Sequence, residues 1–237
     1  MIQKPLVPML LTLLVGANAA GATDLDLTTA GASGFIGAAL FLQSDPQPAG
    51  TGVIDPFVRM STNSDSEQGF NTDHSPLDGD LVDVKPGLWT HSLLVGALQP
   101  VLLDGVLYMR FLLDINQTSA NPLLSLDELR IYTSADPALS SNAALFAENL
   151  VYDMGAGNRV LLDYSLNSGS GSGDMFLYVP AAAFDGLDNQ YLYLYSKFGA
   201  SGGDYATNDG YEEWAHIMST VSVENQSWSA VKELYRP

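Results

Sequence analysis

Residues 101–116 read VLLDGVLYMRFLLDIN, and this stretch carries two clear signals of antiparallel β-structure. Asp104-Gly105 is a residue pair typical of two-residue hairpin turns, because the central positions of such turns need a positive φ. Beyond the turn, apolar residues recur at every second position, as they do on one face of a strand: Leu107, Met109, Phe111 and Leu113. The stretch therefore predicts a hairpin with one buried face.

Further strand signals lie on both sides of this hairpin. Alternating or short apolar runs occupy residues 35–43, 54–60, 159–166, 175–180 and 190–198. The leucines of residues 124–132 change phase, which indicates a β-bulge, and one short helical turn is expected within residues 142–148. We therefore predict an all-β fold, an antiparallel β-sandwich that is jelly-roll-like.

Residues 61–80 read STNSDSEQGFNTDHSPLDGD and interrupt this series. The stretch is rich in turn-forming residues and looks too polar for a protein core. We therefore predict a surface loop here.

The first 22 residues have the form of a secretory signal peptide. Lys4 precedes an apolar run from Leu6 to Val15, and A-x-A patterns end at Ala19 and Ala22. The run is too short to span a bilayer, and no later stretch approaches the roughly 18 apolar residues that a membrane helix needs. We therefore expect a signal peptide at 1–22, a single domain at 23–237, and a secreted protein that is extracellular or periplasmic.

The charge of the chain excludes several partners. Nine basic residues face 27 acidic ones, so the net charge is −18. Nucleic acids and anionic membrane surfaces bind basic proteins, and neither suits this chain. Clustered carboxylates are instead compatible with divalent cations, and the absence of cysteine excludes disulfides as a source of stability.

Six segments together resemble a group of exported bacterial proteins of unknown function, many of which carry a PEP-CTERM sorting tail. They are, in chain order, IDPFVRM, EQGFNTD, FLLDINQ, LSLDELRIY, LYLYSKFG and NDGYEEWA. The resemblance spans roughly residues 30–215. It implies an extracytoplasmic protein of the cell surface or matrix, and it supplies no catalytic residues. Residues 216–237 contain neither Pro-Glu-Pro nor a hydrophobic anchor, so sorting by such a tail is not expected.

The segment DGYEEW, residues 209–214, looks most like an active site. In a strand, however, Glu212 and Glu213 point to opposite faces and cannot act on one bond. A glycosidase needs two carboxylates about 5–9 Å apart, so a partner would have to come from elsewhere in the chain. The favoured interpretation is a turn at Asp209-Gly210 that opens a strand with Trp214 in the core. No G-x-S-x-G motif accompanies the three histidines, and an enzyme is the less favoured hypothesis.

Two acidic clusters are candidate calcium sites, because calcium prefers carboxylate and amide oxygens. One surrounds residues 73–83 and has Glu67 and Asn71 just upstream, and the other spans residues 204–212. Neither has EF-hand spacing, and a solvated acidic loop remains an alternative for each. The candidate metal ligands are Asp73, Asp78, Asp80, Asp204, Asp209 and Glu212.

These observations favour an exported, non-catalytic binding or structural protein of the cell surface or extracellular matrix, stabilised by calcium. Its expected partners are an extracellular polysaccharide or other copies of itself, the latter by edge-strand addition. The alternative is a secreted carbohydrate-active enzyme or carbohydrate-binding module. The stripe formed by Tyr191, Tyr193 and Tyr195 separates the hypotheses: exposed, it is a sugar platform, and buried, it is core.

Overall fold

A computed structural model describes residues 22–44, 55–169 and 173–216. These residues form two β-sheets and one very short helix, α1 (Asn142–Leu145). The prediction of an all-β sandwich is thereby confirmed. The predicted signal peptide lies almost wholly in residues 1–21, outside the described residues. Within the described ranges, no helix is long and apolar enough to cross a membrane.

Each sheet has seven strands among the described residues. Sheet I contains β1 (Asp24–Asp26), β5 (Glu67–Phe70), β6 (Leu93–Leu94), β9 (Leu123–Ser134), β10 (Asn149–Asp153), β11 (Arg159–Asp163) and β13 (Tyr191–Phe198). Sheet II contains β2 (Ser33–Ile36), β3 (Ala39–Gln43), β4 (Asp55–Met60), β7 (Val101–Leu103), β8 (Val106–Asp114), β12 (Met175–Pro180) and β14 (Glu212–His216).

The strand order explains how distant segments meet. Sheet I runs β1-β11-β9-β13-β5, with β10 beside β9 and β6 beside β13. Sheet II runs β2-β3-β12-β8-β14-β4, with β7 beside β8. From β11 to β14 the chain changes sheet at every connection, as it does in jelly-roll sandwiches. The pairs are antiparallel except β1 with β11, which are parallel.

The main core lies between the sheets. Trp214 and Phe111 of sheet II and Leu194 of sheet I are fully buried in it. A second buried group lies on the opposite side of sheet II and contains Leu40, Leu112, Phe176 and Tyr178. Sheet II therefore has apolar residues on both faces, so a strict inside–outside alternation does not describe it.

Several local predictions are confirmed. Asp104 and Gly105 have φ values of 51° and 81°, as the hairpin between β7 and β8 requires. The bulge in β9 occurs at Asp127, where the pairing with β13 skips one residue. The expected helical turn is α1.

Two local predictions are wrong. Residues 35–43 do not form one strand, because Gly37, with φ of 61°, turns the chain between β2 and β3. Residues 61–80 are not simply a surface loop, because they contain β5 and buried polar residues. Asn71 shows why: its amide nitrogen donates to Leu192 O at 2.8 Å and its amide oxygen accepts from Leu194 N at 2.7 Å. The Asn71 side chain pairs with backbone groups of β13 as a neighbouring strand would. A polar side chain whose hydrogen bonds are satisfied in this way can be buried in the core.

Candidate functional site

The segment DGYEEW is a turn that leads into β14. Gly210 has a φ of 73°, and its N–H donates to the side chain of Asp209. A Cβ added at Gly210 would lie 2.3 Å from the Cβ of Asn116, so no other residue fits without movement. The turn fixes where β14 begins and therefore which of its side chains face inward.

The inner face of β14 carries Glu212 and Trp214. Trp214 is fully buried, and its indole N–H donates to Ser196 Oγ on β13 of sheet I at 3.1 Å. Glu212 shares this face because strand side chains alternate. Although it is a carboxylic acid, Glu212 is only 1% exposed.

Glu212 meets a second glutamate inside the sandwich. Glu67 comes from β5 of sheet I, is 2% exposed, and lies in hydrogen-bonding contact with Glu212. The amide nitrogen of Gln117 donates to Glu212 Oε1 at 3.1 Å, and the backbone N–H of Asn116 also donates to Glu212. We call Glu67 and Glu212 the acid pair.

Burial dominates the electrostatics of the acid pair. It raises the pKa of Glu212 well above the usual range, and contact with Glu67 raises it further. Burial also raises the pKa of Glu67, as does nearby Asp83, while the contact with Glu212 and the charge of Lys85 oppose the rise. Two carboxyls in contact cannot both be charged cheaply, so they titrate as one unit.

The acid pair is enclosed and lines neither of two surface cavities of the described residues. One surface cavity, of about 590 Å³, is lined by other residues, among them Asp24, Asp127 and Arg159. A second cavity, of about 200 Å³, is lined by residues of β9 and of the turn after β10. A glycosidase must place its two carboxylates on either side of a bound sugar, and sealed carboxyls in mutual contact do not meet that requirement.

The outer face of β14 has a different character. Glu213 lies opposite Arg59 of β4, with 3.9 Å between Oε1 and Nε. The guanidinium carbon of Arg59 lies 4.3 Å from the ring centre of Trp89 and 4.4 Å from that of Tyr211. These are cation–π distances. We call Arg59, Trp89 and Tyr211 the aromatic cluster.

The aromatic cluster is open to solvent. Trp89 is 44% exposed and Tyr211 is 42% exposed, while Leu88 beside Trp89 is 85% exposed. Large apolar side chains that remain together at the surface often mark interaction sites. Arg59 contacts both rings and thereby holds the two aromatic side chains close to each other.

Two more acidic residues, Asp174 and Asp114, are buried near β14. Asp174, which precedes β12, is 3% exposed, and its Oδ2 accepts from Ile115 N at 2.8 Å. Burial raises the pKa of Asp174 well above its usual range, and Asp114 adds to this. Burial and Asp114 likewise raise the pKa of Glu213, against the opposing charge of Arg59.

Two carboxylates of the first predicted calcium loop accept hydrogen bonds from residues elsewhere in the chain. Asp73 accepts from both the N–H and the hydroxyl of Ser92, each at 2.7 Å. Asp80 accepts from Asn142 N at 2.9 Å, and Asp78 precedes the 3₁₀ turn Gly79–Leu81. Asp73 and Asp80 therefore bind separate partners, and the Asp78 side chain makes no capping hydrogen bond to its turn.

The second predicted loop is divided in the same way. Asp204 lies in the exposed 3₁₀ turn Gly203–Tyr205, Asp209 caps its own turn, and Glu212 points into the core. Among the residues that the structure describes, no three His, Asp or Glu side chains are grouped closely enough to hold a metal. The structure thus does not bring the six predicted ligands together, and calcium binding stays a prediction.

Two of the three tyrosines in the predicted stripe of β13 are buried in the core and cannot form a sugar-binding platform. Tyr193 is fully buried, and its hydroxyl donates to Asp136 O. Tyr195 is 2% exposed and packs against Phe146, with ring centres 5.3 Å apart. Burial raises the pKa of both phenols. Tyr193 and Tyr195 therefore offer no surface to a sugar, while Tyr191 is half-buried against the core.

The sequence analysis missed the pairing of Glu67 with Glu212 and the aromatic cluster. The polar neighbours of Glu67 predict a surface loop at residues 61–80, and no periodic pattern of apolar residues marks β5. For the cluster, a usable signal existed: Leu88-Trp89 is an apolar pair between turn residues.

Comparison with known proteins supplies no relative. No protein-family model matches the chain, and no curated protein or solved structure matches it.

Proposed function

We propose that this chain is an exported, non-catalytic binding protein of the cell surface or extracellular matrix, and that it holds an extracellular polysaccharide at the aromatic cluster. The observation that carries the proposal is the placement of Arg59 against both Trp89 and Tyr211. Flat rings held rigidly at a surface suit the C–H faces of sugar rings and lose little entropy on binding.

The net charge of the chain limits which polysaccharides are expected to bind. A net charge of −18 disfavours polysaccharides rich in carboxylate or sulfate. Arg59 is already in contact with two rings and lies near Glu213, so it is not free to pair with an anion. A neutral polysaccharide is the best match.

The burial of the acid pair weighs against the alternative of a secreted carbohydrate-active enzyme. Both carboxyls are almost fully enclosed, and their contact leaves no space for a sugar between them. A carbohydrate-binding module, by contrast, needs only an exposed platform.

The test is a glycan array probed with the mature protein, with and without calcium. Trp89→Ala and Tyr211→Ala should each weaken binding to the best neutral glycan by about tenfold or more, which corresponds to about 1.4 kcal/mol. Phe35→Ala is the matched control, because Phe35 is an aromatic residue, 60% exposed, on another strand.

Three outcomes would contradict the proposal. The array shows no ligand, or Phe35→Ala loses binding as strongly as the cluster variants, or the cluster variants bind normally. If instead sedimentation shows a dimer that Trp89→Ala disrupts, the cluster mediates self-association rather than polysaccharide binding.

A further inference from the structure

The acid pair joins the two sheets at one edge of the sandwich. Glu67 belongs to β5, which ends the strand order of sheet I, and Glu212 belongs to β14 of sheet II. The residues opposite them within each sheet are apolar: Phe198 faces Glu67, and Met60 faces Glu212. The carboxyls are thus a polar contact between sheets in an otherwise apolar setting.

Few charges face the acid pair. The titratable neighbours that act on it are Asp83, which raises the pKa of Glu67, and Lys85, which lowers it. The remaining polar contacts, from Gln117 and the backbone N–H of Asn116, are neutral and reach Glu212. No ion pair among the described residues includes either glutamate.

Hydrogen bonding points to a proton between the two groups. In the part of the chain that the structure describes, neither oxygen of Glu67 receives an N–H or O–H donor when both acids are taken as ionised. An unpartnered buried carboxylate is strongly unfavourable. A single carboxyl proton removes one charge and supplies the missing donor.

We infer that Glu67 and Glu212 share one proton and form a pH-dependent latch between the two sheets. With the proton present, the O–H···O contact ties β5 to β14. When the proton is lost, two carboxylates repel each other in a site that water does not reach, and the edge of the sandwich loosens.

The direction of the pH effect follows from linkage. The carboxyls have a pKa near 4.5 when unfolded, and burial raises it in the folded protein. The folded state then binds more protons than the unfolded state above that pH. The stabilisation is fully present below the unfolded pKa and is lost as pH rises through the folded pKa.

The first experiment measures the melting temperature of the mature protein from pH 4.5 to 9. It should fall as pH rises, by about 3–5 °C for each unit of pKa elevation. In Glu67→Gln and Glu212→Gln, an amide replaces the shared proton, so most of this fall should disappear. Glu148→Gln is the control, since Glu148 is a partly exposed glutamate outside the pair.

Some slope should survive in the Gln variants, because Asp174 and Glu213 also have raised pKa values. The proposal is overturned if Glu67→Gln and Glu212→Gln both keep the slope of the unaltered protein. It is equally overturned if Glu148→Gln flattens the curve as much as they do.

A second measurement needs no variant and therefore survives a Gln variant that fails to fold. Hydrogen exchange of the unaltered protein, expressed as protection factors, is compared at pH 5 and pH 8. Amides of β5 and β14 should lose protection at pH 8, while those of β10, which pairs only with β9 in sheet I, should not. Equal loss in all three strands, or no loss in any, contradicts the latch.

A third experiment tests whether a cation, rather than a proton, lies between the two carboxyls. Calcium and a chelator are compared at pH 8 in the unaltered protein and in Glu212→Gln. A melting temperature raised by calcium in the unaltered protein alone would mean that a metal bridges the carboxylates, and the proton latch would be abandoned.

Discussion

The carboxylates of this chain occupy two regions with opposite properties. In the loops around residues 73–80 and 204–209 they are exposed, and Asp73, Asp80 and Asp209 accept hydrogen bonds from backbone N–H groups. In the interior, Glu67, Glu212 and Asp174 are enclosed, and burial raises their pKa values. The density of acidic residues in the sequence marked the loops, but burial gives the interior groups their unusual chemistry.

The largest expected contrast is the loss of a side chain from each region. Glu212→Ala should reduce the free energy of unfolding by about 3–5 kcal/mol, because it strands Glu67 in the interior and leaves a cavity. Asp209→Asn, in the exposed turn, should change it by no more than about 0.5 kcal/mol. Urea unfolding measures both values, and similar losses would erase the distinction between the regions.

Calcium binding would narrow the difference in stability between the two regions. If the exposed loops bind it only in the folded state, calcium at about 100 times its Kd should add about 2.7 kcal/mol of stability. The melting temperature should then rise by about 5–10 °C. Sodium chloride at matched ionic strength is the control for general screening.

The calcium result also locates the site. Asp73→Asn and Asp209→Asn should be compared, and the variant that abolishes the shift identifies the loop. Coincident melting curves in calcium and in chelator would show that neither loop binds calcium in the folded protein.

Asp174→Asn tests the interior region through a second residue. An amide keeps the oxygen that accepts from Ile115 but has no charge to bury. The raised pKa of Asp174 means that the native protein loses stability as pH rises above the unfolded value of 3.8. The variant should therefore be more stable at pH 8, by roughly 1 kcal/mol. The gain should vanish near pH 3, and a gain independent of pH would show that charge is not its cause.

A small effect on the free energy of unfolding is also expected from Glu213→Gln. Glu213 lies on the outer face of β14, at 3.9 Å from Arg59, and such partly exposed pairs contribute about 0–1 kcal/mol. Chemical denaturation should show a near-neutral change, whereas Glu212→Gln should alter the pH profile. Equal and large losses from both variants would mean that their carboxylates converge on one site.

Much of the architecture is predictable because its signals are local. The turn at Asp104-Gly105 and the phase change at Asp127 lie within a few residues of the structure they specify. The same strand logic placed Glu212 and Glu213 on opposite faces. It failed for β5, whose polar residues are buried by contacts with residues far away in the chain, such as Leu192 and Leu194.

The sequence by itself determined the all-β class, the strong negative charge and the inward direction of Trp214, since these follow from composition and from alternation along a strand. Only the tertiary structure decided that Glu67 and Glu212 touch, that Arg59 lies against Trp89 and Tyr211, and that Tyr193 and Tyr195 are covered. The physical reason is that each of these depends on which distant strands and loops pack together. Packing sets burial, and burial sets both the charge state of a carboxyl and the exposure of an aromatic ring.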